Sequence, residues 1–263
     1  MIEIYYNVAN IIFKFEFKIG DTQNWLKFKE QRKNESVFQA KILNRESIQY
    51  EIDNFKIENL SYLCRYQSEI IAVSKDWKNI NFLGLNNDRY VDRLVLHVFY
   101  THAVQRRMIQ LHSSLIATTD NRGLMFLGPS GIGKTTQAEL WHNYRDALII
   151  NGDIVFVQET EDAFLGWGTP WHGSSPYCEN TNVPVEALVV LKQAPENSIR
   201  ELTGFEKVSE VSNSVFYPRW LENGMELCLE TLDHLLSKLP VYELRCRPDE
   251  DAVRLTEETI FKN

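Results

Sequence analysis

The chain has no apolar run of the roughly 18 residues that a membrane-crossing helix requires. Its first residues, MIEIYYNVANII, have neither the basic flank nor the small-residue cleavage site of a secretory leader. A cytoplasmic protein without a membrane partner is therefore expected. Cysteine is sparse as well. Cys64, Cys178, Cys228 and Cys246 lie far apart and form no CxxC pair, which argues against a paired-cysteine zinc site and a dense disulfide framework. They read as reduced, mostly buried thiols. Basic residues are in deficit, 28 Lys and Arg against 36 Asp and Glu, for a net charge of -8. Nucleic acid and anionic lipid are bound by clustered cations that displace counterions, so neither is an expected partner. A single phosphate-sized site remains compatible with an acidic chain, because backbone amides and one or two cations build it. Internal repeats and low-complexity linkers are absent too.

Glycine is thin at 12 residues in 263, yet three of the twelve fall in one short stretch, FLGPSGIGKTTQ, from Phe126 to Gln137. With 44% hydrophobic and 24% charged residues, the chain can bury the core of one sizeable domain or of a large and a small one. Up to about residue 85 the pattern has period two: Ile2, Ile4, Tyr6; Phe13, Phe15, Phe17, Ile19; Tyr62, Cys64, Tyr66. Alternation of β-branched and aromatic residues predicts antiparallel strands joined by polar turns such as GDTQ and LNRES. From Asp88 the period changes. Val91, Leu94, Val95, Val98 and Phe99 share one face of a helix of about five turns, which is expected to pack on the sheet. Arg106 and Arg107 near its end read as a solvated turn. Domains are expected over residues 1–87, β-rich, and 88–263, an α/β unit.

In the second region, LHSSLIATTDNRGLMFLG predicts a hairpin whose second strand, Leu124 to Leu127, feeds the glycine-rich stretch. TTQAELWHNY has helical composition, ALII is a buried strand, and NGDIVFVQETEDAFLGWGTPWHG reads as short strands and a loop. A strand at 187–191 precedes a polar connection. A helix at about 219–237, the strand VYELRC and a last helix near PDEDAV follow, the last with proline and three acids in its first turn as the helix dipole prefers.

Gly128-Pro129-Ser130-Gly131-Ile132-Gly133-Lys134-Thr135, followed by Thr136, satisfies GxxxxGK[ST] between a strand and a helix. Glycines let the backbone curl until several N–H groups point at phosphate oxygens. Lys134 then reaches the outer phosphates and the Thr135 hydroxyl can ligate Mg2+. Asp153, after the buried run ALIIN, stands where a carboxylate holds a metal or its water; the competing reading is a plain Asn-Gly-Asp hairpin turn. His112 lies on the strand before the loop strand and is either a packed histidine or a group facing the phosphates. Trp171, His172 and Gly173 belong to a loop, GTPWHG, that reads as a substrate loop with Ser174 and Ser175 as added donors. Arg245 and Arg247 alternate with Cys246 along a strand and are candidate phosphate contacts, solvent-facing arginine being the commoner outcome.

The order of these motifs resembles the HPr kinase/phosphorylase superfamily over about residues 105–258. It looks most like the small relatives that share a catalytic fold with ATP-dependent phosphoenolpyruvate carboxykinase. What carries the resemblance is His112 on a strand, GPSGIGKTT, GDIV, the GTPWHG loop, NTNVPVEAL and YELRCRPDEDAV. It implies an α/β core of mixed sheet with flanking helices, an ATP and Mg2+ site, and transfer of the terminal phosphoryl group to a hydroxyl of a peptide, protein or small molecule. Carried over, His112 would sit near the transferring phosphate, Lys134 would stabilise it, Thr135 would bind metal, and Asp153 would serve the metal or the acceptor hydroxyl. Such relatives often form closed oligomers. Two positions depart from the family pattern: Gly152 stands where the first of two aspartates is usual, and Thr136 where a glutamate is. A kinase is the leading expectation; the contrasting one is a non-catalytic nucleotide-binding module that docks a partner, with a motor ATPase and a carboxykinase as further readings.

Overall fold

The computed structural model describes residues 3–17, 23–31, 35–43, 60–66, 69–83 and 88–261. Its backbone groups into two units, Met1–His102 and Ala103–Asn263. In the first, β1 (Ile4–Val8) and β2 (Ile11–Phe15) form an antiparallel hairpin. Ala9 and Asn10 turn it with φ of 48° and 61°, the double left-handed conformation that matches the twist of a two-residue hairpin. With β3 (Lys29–Glu30), β4 (Phe38–Leu43), β5 (Leu60–Tyr66), β6 (Glu69–Ser74) and β7 (Asn79–Leu83) they make one sheet, ordered β3-β1-β2-β4-β7-β6-β5.

The β2–β4 and β4–β7 pairs are parallel, which corrects the expectation of purely antiparallel strands. Alternation marks a half-buried strand but carries no information about its neighbour's direction. Phe17 lies just past the end of β2, whereas Ile2, Ile19 and most of GDTQ and LNRES fall outside the described residues.

Besides α1 (Gln23–Leu26), this unit takes most of α2 (Asp88–Val104). Val91, Val95, Val98 and Phe99 are buried as the period predicts. Phe99 meets Phe13 edge-on at 6.2 Å, Phe13 stacks on Phe38 at 4.6 Å, and Trp25 Nε1 donates to Asp92 Oδ1 at 3.0 Å. These contacts group α2 with the first sheet, although the expected boundary set it at the head of the second domain.

The second unit holds β8 (Met108–Ala117), β9 (Gly123–Leu127), α3 (Lys134–Arg145), β10 (Leu148–Asn151), β11 (Ile154–Glu159), β12 (Phe164–Trp167) and β13 (Asn182–Gln193). It continues with β14 (Ser198–Glu201), α4 (Gly204–Ser212), β15 (Val215–Phe216), α5 (Gly224–Lys238), β16 (Val241–Cys246) and α6 (Glu250–Ile260). The sheet is mixed. β13 runs parallel to β9 and to β16, and the remaining ladders are antiparallel. Long β8 and β13 are shared: their first residues pair with β11 and β12, and their later residues flank β9. The core under α3 and α6 is Phe126, Trp141, Val189, Leu244 and Val253, and Arg145 on α3 holds Glu257 on α6 at 2.8 Å. An α/β core of mixed sheet and flanking helices is what the residues give; among the described residues there are six helices, and none is long and apolar enough to cross a membrane.

Three details differ from the sequence expectations. The helix expected from about 219 begins at Gly224, because Pro218 and Leu221 carbonyls accept from Leu221 and Gly224 N–H groups in successive turns. Residues 204–212, read as polar connection, are helical with Phe205 pointing outward at 85% exposure, a pattern that hides the amphipathic signal. Pro248 precedes α6 rather than entering it, and Asp249 caps the helix by accepting from Ala252 N–H at 3.1 Å.

Glu243 on β16 is 4% exposed and accepts from Arg200 and Arg245 at 3.2 and 3.0 Å. Burial works to raise its carboxyl, but the two guanidinium hydrogen bonds overcome this and hold it below the usual value. A depressed carboxyl stabilises the fold above its unfolded value of about 4.3, and that contribution disappears as pH falls through the folded value. Glu243→Gln is accordingly expected to lower the melting midpoint by about 2–6 °C at pH 7. The gap to wild type should close on acidification toward pH 3, as read by circular dichroism melts across pH.

Candidate functional site

β9 is flanked on both sides by β8 and β13, and its C-terminal end delivers the glycine-rich stretch into α3. Gly128, Gly131 and Gly133 have φ of 137°, 79° and 113°, values that side-chain-bearing residues rarely adopt. A Cβ built on Gly131 or Gly133 meets nothing within 4 Å, so the loop's inner face is open space edged by amides at a helix N-terminus. The helix start is fixed from below: buried Ser114 on β8 donates to the Lys134 carbonyl at 2.9 Å. Lys134 is 6% exposed and its Nζ donates to the Gly128 and Pro129 carbonyls at 3.0 and 3.2 Å. Burial lowers its ammonium below the ordinary lysine value, and the charge of Asp153 works against that.

The Asn-Gly-Asp segment does not reverse the chain. β10 and β11 both run antiparallel to the same strand, β8, pairing with residues 115–117 and 108–112, so Asn151–Asp153 is a kink in one continuing path. That removes the hairpin reading and places Asp153 on the kink. Buried Asn151 shapes it. Its Oδ1 accepts from Asp153 and Ile154 N–H at 2.9 and 3.0 Å, and its Nδ2 donates to the Thr169 and Trp171 carbonyls at 3.0 and 3.2 Å. Sequence reasoning missed Asn151; the available signal was a lone amide closing an oily run.

Asp153 faces His112 across the sheet, with Nε2 and Oδ1 2.8 Å apart and each side chain about a quarter exposed at 27%. A cavity of about 340 Å3 brings this pair together with Lys134, Thr135, Ser174 and Ser175. Ser130, Gly131, Gly133 and Thr136 complete its loop side. Thr135 Oγ1 lies 3.4 Å from the Gly152 carbonyl. Gly152 has no room for a side chain: a Cβ there would lie 1.9 Å from Ser175 Oγ. The same holds at Gly173, whose φ is 58° and whose Cβ would lie 2.0 Å from Asp153 Oδ2.

The GTPWHG loop divides accordingly. Gly173 abuts the carboxylate, Trp171 is buried at 6% with its carbonyl anchored by Asn151 and Thr169, and His172 turns its Nδ1 to the Ser175 carbonyl within the loop. Neither Trp171 nor His172 lines the cavity. Of the two arginines, Arg245 is tied to Glu243 and lines neither cavity beside the loop, while Arg247, paired with Asp249 at 3.0 Å, borders the second. That second cavity, about 550 Å3, shares Gly131, Gly133 and Thr136 with the first and is walled by Leu140, Leu191 and Pro248.

No family model matches the chain, and no curated protein does. Among solved structures it is similar to the HPr(Ser) kinase/phosphatase from Coxiella burnetii, at 12% identity and a TM-score of 0.33, over 59% of this chain and 88% of that one. The likeness is distant.

Among the described residues no three His, Cys, Asp or Glu side chains cluster as a metal site. One carboxylate and one hydroxyl beside a phosphate-sized cradle still suit Mg2+, which keeps several waters and takes its other ligands from phosphate oxygens. The residues present therefore fit a nucleotide–Mg2+ group: open amides, one ammonium, Thr135 and Asp153.

Proposed function

We propose that the chain is an ATP-dependent kinase that transfers the terminal phosphoryl group to a hydroxyl, seryl by preference, of a peptide, protein or small molecule. The observation that carries this reading is the His112–Asp153 pair facing the same small cavity as Lys134 and Thr135. A phosphate cradle alone suits any nucleotide binder, whereas a closely paired acid and imidazole beside it supply a proton acceptor where a hydroxyl nucleophile would arrive.

Loop amides at the start of α3 and the Lys134 ammonium hold the phosphate chain. Thr135 and Asp153 would hold Mg2+, which when bound would supply charge neutralisation at the transferring group. The acceptor oxygen forms a bond to the terminal phosphorus as the bridging P–O bond breaks and ADP leaves with that electron pair. The hydroxyl proton passes to the Asp153–His112 pair, whose Oδ1 and Nε2 lie 2.8 Å apart. Ser174 and Ser175 border the acceptor side. Positioning and charge account for most of phosphoryl-transfer catalysis, so one carboxylate suffices where the resembled family has two.

The test is purified protein with ATP and Mg2+ against serine, seryl peptides and small alcohols, followed by product mass. A phosphoproduct that falls about 10²-fold in Lys134→Ala is the expected result. Slow ATP loss independent of any acceptor would instead mark a nucleotide-binding module.

A further inference from the structure

Gln137 closes the first turn of α3, is 2% exposed and borders the larger cavity. Its Nε2 rests 3.5 Å from Cys246 Sγ, a weak acceptor, and its Oε1 has no partner. An unpaired buried amide oxygen costs about 1–3 kcal/mol, so it calls for a donor that the chain itself does not provide. The cavity it borders has Ile132, Leu140, Leu191 and Pro248 on its walls, and the Lys192 head is drawn away to Glu210 at 2.9 Å. It shares Gly131, Gly133 and Thr136 with the smaller cavity beside the loop. A flat heteroaromatic ring of nucleobase size fits such walls, and the ring edge would meet Gln137.

We infer that the larger cavity holds the base of the nucleotide and that Gln137 selects a 6-aminopurine, its amide oxygen accepting from the exocyclic amino group. The inference rests on reading the glycine-rich loop as the phosphate site. The chemistry distinguishes the two purines. Adenine presents an N–H donor at position 6 and guanine a carbonyl acceptor there, and an oxygen facing that carbonyl is left without a hydrogen bond and repelled. The contact of Nε2 with Cys246 Sγ holds the donor end of the amide, which leaves the oxygen as the end available to the ring. Gln193, which also borders the cavity, donates its amide to the Ile132 carbonyl at 3.4 Å and so holds the loop rather than the base.

The test is equilibrium binding by calorimetry, which needs no acceptor and no turnover. ATP, GTP, inosine triphosphate, purine riboside triphosphate and inorganic tripolyphosphate are each titrated with Mg2+ into wild type and into Gln137→Leu. Wild type is expected to bind ATP about tenfold tighter than GTP, inosine triphosphate or the 6-unsubstituted purine analogue. In Gln137→Leu that preference should shrink to about threefold or less while tripolyphosphate affinity is unchanged. Triphosphates bound without regard to base, or a preference that survives Gln137→Leu, would overturn the assignment of Gln137 and leave the phosphate site standing. A preference for GTP would reverse the orientation of the amide and overturn the aminopurine reading. No uptake of any triphosphate or of tripolyphosphate would remove the phosphate site and this inference together. The comparison among nucleotides in wild type tests the aminopurine preference even if the leucine variant fails to fold.

Discussion

Changing Asp153 to asparagine is expected to slow phosphoryl transfer about 10³-fold in a protein that remains folded. Asparagine keeps the size of the side chain and can still meet His112 Nε2, which lies 2.8 Å from the carboxylate, so packing at the kink is preserved. What is lost is the negative charge, and with it a ligand for a cation and a sink for the acceptor's proton. His112→Gln, which removes the imidazole but leaves the carboxylate, is expected to cost less, about tenfold, because it withdraws only the partner that orients Asp153. Single-turnover measurements at saturating ATP and Mg2+ separate chemistry from binding. Wild-type turnover in Asp153→Asn would sink the role given to this carboxylate. A second readout is the pH dependence of ATP affinity. Burial already lowers the Lys134 ammonium and the charge of Asp153 opposes that, so the asparagine variant lowers it further. Lys134 then sheds its proton earlier as pH rises, and the alkaline fall in affinity should move to lower pH in Asp153→Asn.

Gly152→Ala is expected to destabilise the protein by about 1–3 kcal/mol, as overpacking does, and Ser175→Gly on top of it to recover part of the loss. A Cβ at 152 meets Ser175 Oγ at 1.9 Å and Ser175 Cβ at 2.5 Å, distances at which one of the two must move. Both atoms belong to a single side chain, so removing that side chain removes the conflict without touching backbone. Ser175→Gly alone gives up about 1–2 kcal/mol through added loop freedom and loss of the bond its hydroxyl accepts from Tyr177 N–H, and the pair should still be non-additive in a denaturation cycle. Additive losses would place the strain elsewhere. Ser175 occupies the space a residue-152 side chain would need, and an aspartate there is compatible with this loop only in combination with Ser175→Gly.

The glycine-rich loop was legible because its requirements are local. Positive φ at Gly128, Gly131 and Gly133, a lysine at the helix start and a hydroxyl beside it are spelled out within a few residues of one another. The α2 face and the hairpin of β8 and β9 were legible for the same reason, since burial period and turn chemistry act between near neighbours in the chain. Strand direction in the first sheet, the outward Phe205 on α4 and the roles of Asn151, Gln137 and Ser175 were not, because each is set by a partner distant along the chain.

By itself, then, the sequence determined where a glycine-rich bend leads into a helix and which lysine and threonine stand at its edge, because a backbone bend and the start of a helix are decided by consecutive residues. Only the tertiary structure decided that His112 and Asp153 meet, that Arg245 is spent on Glu243 while Arg247 borders the cleft, and that Gly152 admits no second carboxylate. Those outcomes depend on which strands lie side by side and on how closely two loops approach. They are properties of packing between segments far apart in the chain, on which hydrophobic period and local motif place no constraint.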